Sequence, residues 1–128
     1  MTEEPTIEQR LIKLATQALN RTREGLMRWS ETDDSEVYQF SGTRTSLLIE
    51  RFKYDNHFEF RVLNERGTMV ERLQRYKGPD DENPWDDVSE SYVLLADLHD
   101  AARRSALRID EVITAAFTDL ESSDEPPF

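Results

Sequence analysis

The sequence predicts an α+β fold: an N-terminal helix, a four-stranded antiparallel β-meander and a long C-terminal helix, with both helices on one face of the sheet. Three observations carry that prediction. Apolar residues alternate with period two between Arg44 and Tyr76, as they do in a sheet with one buried face. Asp55-Asn56 and Asn64-Glu65-Arg66-Gly67 interrupt the alternation with residues that tolerate the positive φ of tight turns. Apolar residues at helical spacing lie on either side, and a one-sided sheet needs such helices to cover it.

The first helix is expected to start at Thr6, which with Gln9 has the spacing of a capping box. Ile7, Leu11, Leu14, Ala15, Ala18, Thr22, Leu26 and Trp29 then recur three and four residues apart, which predicts a helix reaching about Trp29. Glu31 to Ser35 reads as a polar loop. Val37-Tyr38-Gln39-Phe40 is the first strand, and Ser41-Gly42-Thr43 turns it into the meander. Leu47-Leu48-Ile49 and Phe52 mark the second strand, Phe58, Phe60 and Val62 the third, and Val70 and Leu73 the fourth. From Ser89 to about Leu120 no Pro or Gly interrupts the pattern, so one helix of roughly thirty residues, about 45 Å long, is expected. Asp87 or Ser89 is its candidate N-cap, and its stripe runs through Leu95, Leu98, Ala102, Ile109, Ile113, Ala116 and Leu120. Leu47, Ile49, Phe58, Phe60, Val62, Leu95, Ile109 and Ile113 are expected in the core. Residues 1–120 form a single domain in this reading, and 121–128 a disordered acidic tail.

The chain carries 27 acidic against 16 basic residues, a net charge of −11, which argues against direct binding to nucleic acid or to an anionic membrane surface. Acidity is uneven. The first thirty residues hold five bases and four acids, and the meander holds eight bases, from Arg44 to Lys77, against five acids. The meander's exposed side therefore reads as a solvated face with cross-strand ion pairs, with an anion-binding face as the sharper alternative. The acids concentrate between Gly78 and Val88, where Asp80, Asp81, Glu82, Asp86 and Asp87 meet two prolines and no base, a composition that predicts a loop.

Chemistry-bearing motifs are sparse. The absence of cysteine excludes disulfides, thiolate metal sites and cysteine nucleophiles, and suits the cytoplasm. The N-terminus lacks the basic and apolar regions of a signal peptide, and no apolar run is long enough for a membrane span. His57 and His99 have no partner at metal-ligand spacing and are read as surface residues. Four scattered glycines build no phosphate loop, and the acidic pairs around Asp81 and Asp86 lack the pattern of a calcium-binding loop. No cofactor or metal is expected. Trp85 either pins the acidic loop to the core or anchors a partner, because one Trp ring buries a large area at low entropic cost; Trp29 reads as core.

In size, acidity, lack of cysteine and helix–sheet–helix build, the chain resembles small acidic secretion chaperones and immunity proteins. The expected function is accordingly a non-enzymatic, chaperone-, adaptor- or immunity-like interaction module, acting as a homodimer on a protein partner that the charge favours being basic. Its expected partner-binding residues are Trp85, Asp81, Asp86, Asp87, Leu94, Ile113 and Phe117. Two alternatives belong to other classes: an acidic nucleic-acid mimic that inhibits a basic enzyme, and a small enzyme without a recognisable motif. Salt dependence separates the mimic from an apolar interface.

Overall fold

A computed structural model describes residues 4–77 and 89–122. Along the chain come α1 (Ile7–Arg23), β1 (Ser30–Glu31), β2 (Val37–Ser41), β3 (Ser46–Phe52), β4 (His57–Leu63), β5 (Met69–Tyr76), α2 (Glu90–Ala106) and α3 (Ile109–Ser122). The strands form one antiparallel sheet in sequence order, and α1 and α2 pack on it and on each other. The sheet therefore has five strands, not four. The additional one is a two-residue strand in which Ser30 and Glu31 pair with Gln39 and Tyr38. Register brings Ile49 opposite Phe60 and Phe60 opposite Leu73, so one row of apolar side chains crosses three strands beneath the helices. Asn56 and Gly67, at φ 50° and 81°, close the hairpins where the turn residues were expected. In the second of these, Asn64 Oδ1 accepts from the backbone N–H groups of Arg66 and Thr68 at 2.9 and 3.1 Å.

The core joins Leu11, Ala15, Ala18 and Leu19 of α1 to Leu95, Leu98 and Ala102 of α2 over Tyr38, Leu47, Ile49, Phe58, Phe60 and Leu73. Of the expected core residues, Leu47, Ile49, Phe58, Phe60 and Leu95 are buried, while Val62 and Ile109 are half-buried. Ile113 is 49% exposed and belongs to no core.

Two helix boundaries differ from expectation. The capping box at the start of α1 forms as predicted, with Gln9 N–H donating to Thr6 Oγ1 and Thr6 N–H to Gln9 Oε1. At its other end α1 stops at Arg23, well before Trp29. Gly25 adopts φ 77°, Gly25 N–H donates to Thr22 O, and Leu26 N–H donates to Arg21 O. That left-handed residue with its nested pair of bonds is a Schellman stop. The chain then turns back and buries Trp29, whose Nε1–H donates to Thr22 Oγ1 at 2.8 Å and whose backbone N–H donates to Ser105 Oγ at 2.9 Å.

The long C-terminal helix is in fact two. Ser89 caps α2 by accepting from Tyr92 N–H, and α2 ends with Leu107 as its C-cap. Arg108 takes φ 52°, and α3 restarts with Val112 N–H donating to Arg108 O. A left-handed non-glycine residue costs about 1–2 kcal/mol. Beyond the break, α3 packs on α2 alone among the elements it meets appreciably. Glu121 and Ser122 of the expected tail close α3, and residues 123–128 lie outside the described residues.

Candidate interaction surface

The most unusual surface is α3. Ile109, Ile113, Ala116 and Leu120 repeat at spacings of four, three and four, the seam of a helix made to meet another helix. Phe117 and Val112 flank that seam. Yet every residue from Asp110 to Ser122 is exposed: Val112 by 60%, Phe117 by 64% and Leu120 by 65%. The helix carries Asp110, Glu111, Asp119 and Glu121 and no base. Monomeric proteins rarely present a contiguous apolar stripe of this kind without using it.

Of the expected partner-binding residues, α3 brings Ile113 and Phe117 onto this one exposed side, 4 residues apart along the chain. Leu94 is elsewhere. It lies near the start of α2, half-buried against the core, so the single stripe expected from Leu94 to Leu120 is interrupted by the break at Leu107-Arg108. Trp85, Asp81, Asp86 and Asp87 lie outside the described residues.

Beside the root of α3 lies an open groove of about 660 Å³, between the end of α1, β1 and the α2–α3 junction. Met27 and Trp29, both buried, line its floor with Ala101 and Ala106. Arg23, Arg28, Arg104 and Arg108 line it too, together with Glu31, Asp110 and Glu111. Arg23 pairs with Asp97 at 3.7 Å, Arg104 with Asp100 at 3.2 Å and Arg108 with Glu111 at 3.9 Å, all between exposed groups. Exposed pairs of this kind hold about 0–1 kcal/mol and exchange partners readily. Among the described residues, Arg28 has no ion pair. Sequence reading missed this groove because the turn after Gly25 creates it, by folding Met27 and Trp29 back beneath Ser105.

The sheet face away from the helices is a second organised surface. Glu50, Glu59, Arg61 and Arg72 stand on adjacent strands, and Arg61 Nη2 donates to Glu50 Oε1 at 2.5 Å and to Glu59 Oε2 at 2.7 Å. Burial works against the charge on Arg61, but the hydrogen bonds it donates to Glu59 and Glu50 outweigh that and raise the guanidinium above its ordinary value. Burial likewise pushes the Glu36 carboxyl up, and bonds from Arg51 and Lys53 overcome it and hold the group below its ordinary value. Arg61 with Glu50, and Arg72 with Glu59 at 3.3 Å, are cross-strand ion pairs of the kind expected of this face, although Glu59 is buried and not solvated. Arg51 and Lys53 border a cleft of about 360 Å³. Both bind the same carboxylate, Glu36, at 2.8 and 2.9 Å, which offsets one of their two positive charges.

Neither histidine is on the surface. His57 is stacked between Phe52 and Tyr76 at 4.2 and 4.3 Å, and its buried Nδ1 has no hydrogen-bond partner among the described residues. His99 lies against Tyr38 and Phe58, with Nε2 2.9 Å from Glu36 O. Burial depresses the His99 pKa below 6.5, so the neutral ring is the folded form. A signal for His99 was present, since Leu95, Leu98, His99 and Ala102 share one helical stripe. His57 has only its cross-strand place between two aromatic residues, which emerges once the register is known.

Comparison with family models, curated proteins and solved structures gives no match to the chain. Among the described residues, no helix is long and apolar enough to cross a membrane, and no cluster of His, Asp or Glu has the makings of a metal site.

Proposed function

We propose that the protein is a non-enzymatic interaction module of the cytoplasm, that it works as a homodimer joined through α3, and that its acidity selects a basic protein partner. One observation carries this reading: a helix with a continuous apolar seam stands clear of the core and exposes Val112, Ile113 and Phe117 by about half or more. Burying one such side chain contributes about 1.5–3 kcal/mol. A second copy is the most economical occupant, because two-fold pairing is the commonest oligomer symmetry and duplicates every contact. The net charge of −11 on each copy opposes association, so the apolar contribution has to exceed it.

Light scattering on Ile113→Asp and Phe117→Asp tests the reading. Both positions are exposed, so the fold tolerates the carboxylate, and each variant is expected to run as a single chain where the parent runs as two. A parent that is itself a single chain at low micromolar concentration, or variants that leave the mass of the pair unchanged, would refute the proposal.

A further inference from the structure

We infer that, in the homodimer proposed above, α3 of each copy seats in the arginine-lined groove of the other, in place of pairing with the partner's α3. This inference rests on the dimer reading and adds to it the surface that receives the helix.

Charge decides between the two arrangements. Pairing α3 with α3 sets four acids against four, with no base on either helix to relieve them. Like charges facing each other across an interface are strongly disfavoured. The groove offers the complement. Its lining is mixed: Met27, Trp29, Ala101 and Ala106 supply an apolar part, and Arg23, Arg28, Arg104 and Arg108 stand along it. Within the groove Glu31, Asp110 and Glu111 offset part of that charge, but no acid there belongs to the far half of α3, where Asp119 and Glu121 lie. An incoming α3 therefore brings Ile113 and Phe117 to the apolar part and Asp119 and Glu121 to the arginines. Arg28 is free to receive one of them, and the exposed pairs of Arg23 and Arg104 yield at little cost.

Size and placement agree. A groove of about 660 Å³ has room for the apolar side of a helix, though not for the whole of it. With 14 residues α3 is about 21 Å long and about 10 Å across. Two such footprints, each counted on helix and groove, come to roughly 840 Å², the size of a weak interface. Because Arg108 and the first turn of α3 themselves border the groove, each copy offers its helix and its receptor side by side, the arrangement a two-fold axis requires for reciprocal exchange.

Charge reversal with mixing tests the inference. One variant carries Asp119→Arg and Glu121→Arg on α3; the other carries Arg28→Glu and Arg104→Glu in the groove. All four residues are exposed, and matching thermal melts establish that both variants fold. Each alone is expected to lose at least about tenfold in dimer affinity, since like charges then meet at both contacts. An equimolar mixture is expected to recover a heterodimer of near-parental affinity, because both of its contacts are again complementary. Helix-to-helix pairing gives the opposite pattern: the α3 variant associates as well as the parent or better, the groove variant is unaffected, and mixing changes nothing. That pattern overturns the groove assignment and leaves the homodimer standing. A parent chain that stays single overturns both.

Discussion

Leu95→Ala and Ile113→Ala remove comparable aliphatic bulk from positions that a continuous C-terminal helix would place on one stripe. With the helix broken at Arg108, the two changes have different consequences. Leu95 is fully buried between α1 and the sheet, so its truncation removes transfer free energy and leaves a cavity, together about 2–5 kcal/mol. Ile113 is 49% exposed and stands outside the core cluster, so truncation in the monomer changes stability by no more than about 0.5 kcal/mol. Alanine's better helix propensity offsets part of even that. The assay is urea unfolding followed by circular dichroism, at a concentration below the dimer's dissociation constant so that only the single chain is read. Equal destabilisation of more than about 2 kcal/mol by both variants would show that Ile113 packs on the core. The break at Arg108, and the exposed helix beyond it, would then be wrong.

Three further outcomes follow from the same geometry. Arg108→Gly is expected to stabilise the chain by up to about 1 kcal/mol by relieving the left-handed backbone, whereas Gly25→Ala destabilises it by about 1 kcal/mol despite open space around the position; chemical denaturation reads both. Arg61→Met removes the partner of Glu50 and one of the two partners of buried Glu59, leaving Arg72 on Glu59 Oε1, and costs about 1–3 kcal/mol; a loss under about 0.5 kcal/mol would mean the cluster is solvated. Burial holds His99 neutral in the fold while the unfolded ring has the ordinary value of 6.5, so its contribution is fully present above pH 6.5 and declines as pH falls through that value toward the lower folded one. His99→Gln should flatten that slope in pH-dependent melting, and an unchanged slope would place its origin elsewhere.

The sheet was legible because its signals are local. Period-two alternation from Leu47 to Val62 assigns faces, and the Asn56 and Gly67 turns assign the pairing that puts Phe60 over Leu73. Three features were not, and each depends on a contact distant in sequence. Gly25 followed a basic last turn at Arg21 and Arg23, a C-cap signature, but Leu26 and Trp29 continued the apolar spacing and masked it. Both residues serve other ends: Leu26 is 68% exposed, and Trp29 reaches Ser105 across 76 positions. The break at Arg108 had no Gly or Pro to announce it, because an ordinary residue there adopts the left-handed backbone. The histidines were misread because composition says where a histidine is usual, and only the register sets His57 between Phe52 and Tyr76. Within the candidate surface, Ile113 and Phe117 follow from the apolar spacing of the last helix, but that spacing also placed Ile113 in the core, where it is not. The arginines that complement it were invisible, since Arg28 and Arg104 lie far apart until α1 stops and the chain turns back.

Sedimentation equilibrium of the parent chain, at low micromolar concentration and at two ionic strengths, tests the central claim most directly. The account predicts a mass of two 15.0 kDa chains at moderate salt. It also predicts weaker association at low salt, where the repulsion between two copies of charge −11 is least screened. A single-chain mass at both ionic strengths would contradict it, and the exposed seam of α3 would then have no partner in a second copy.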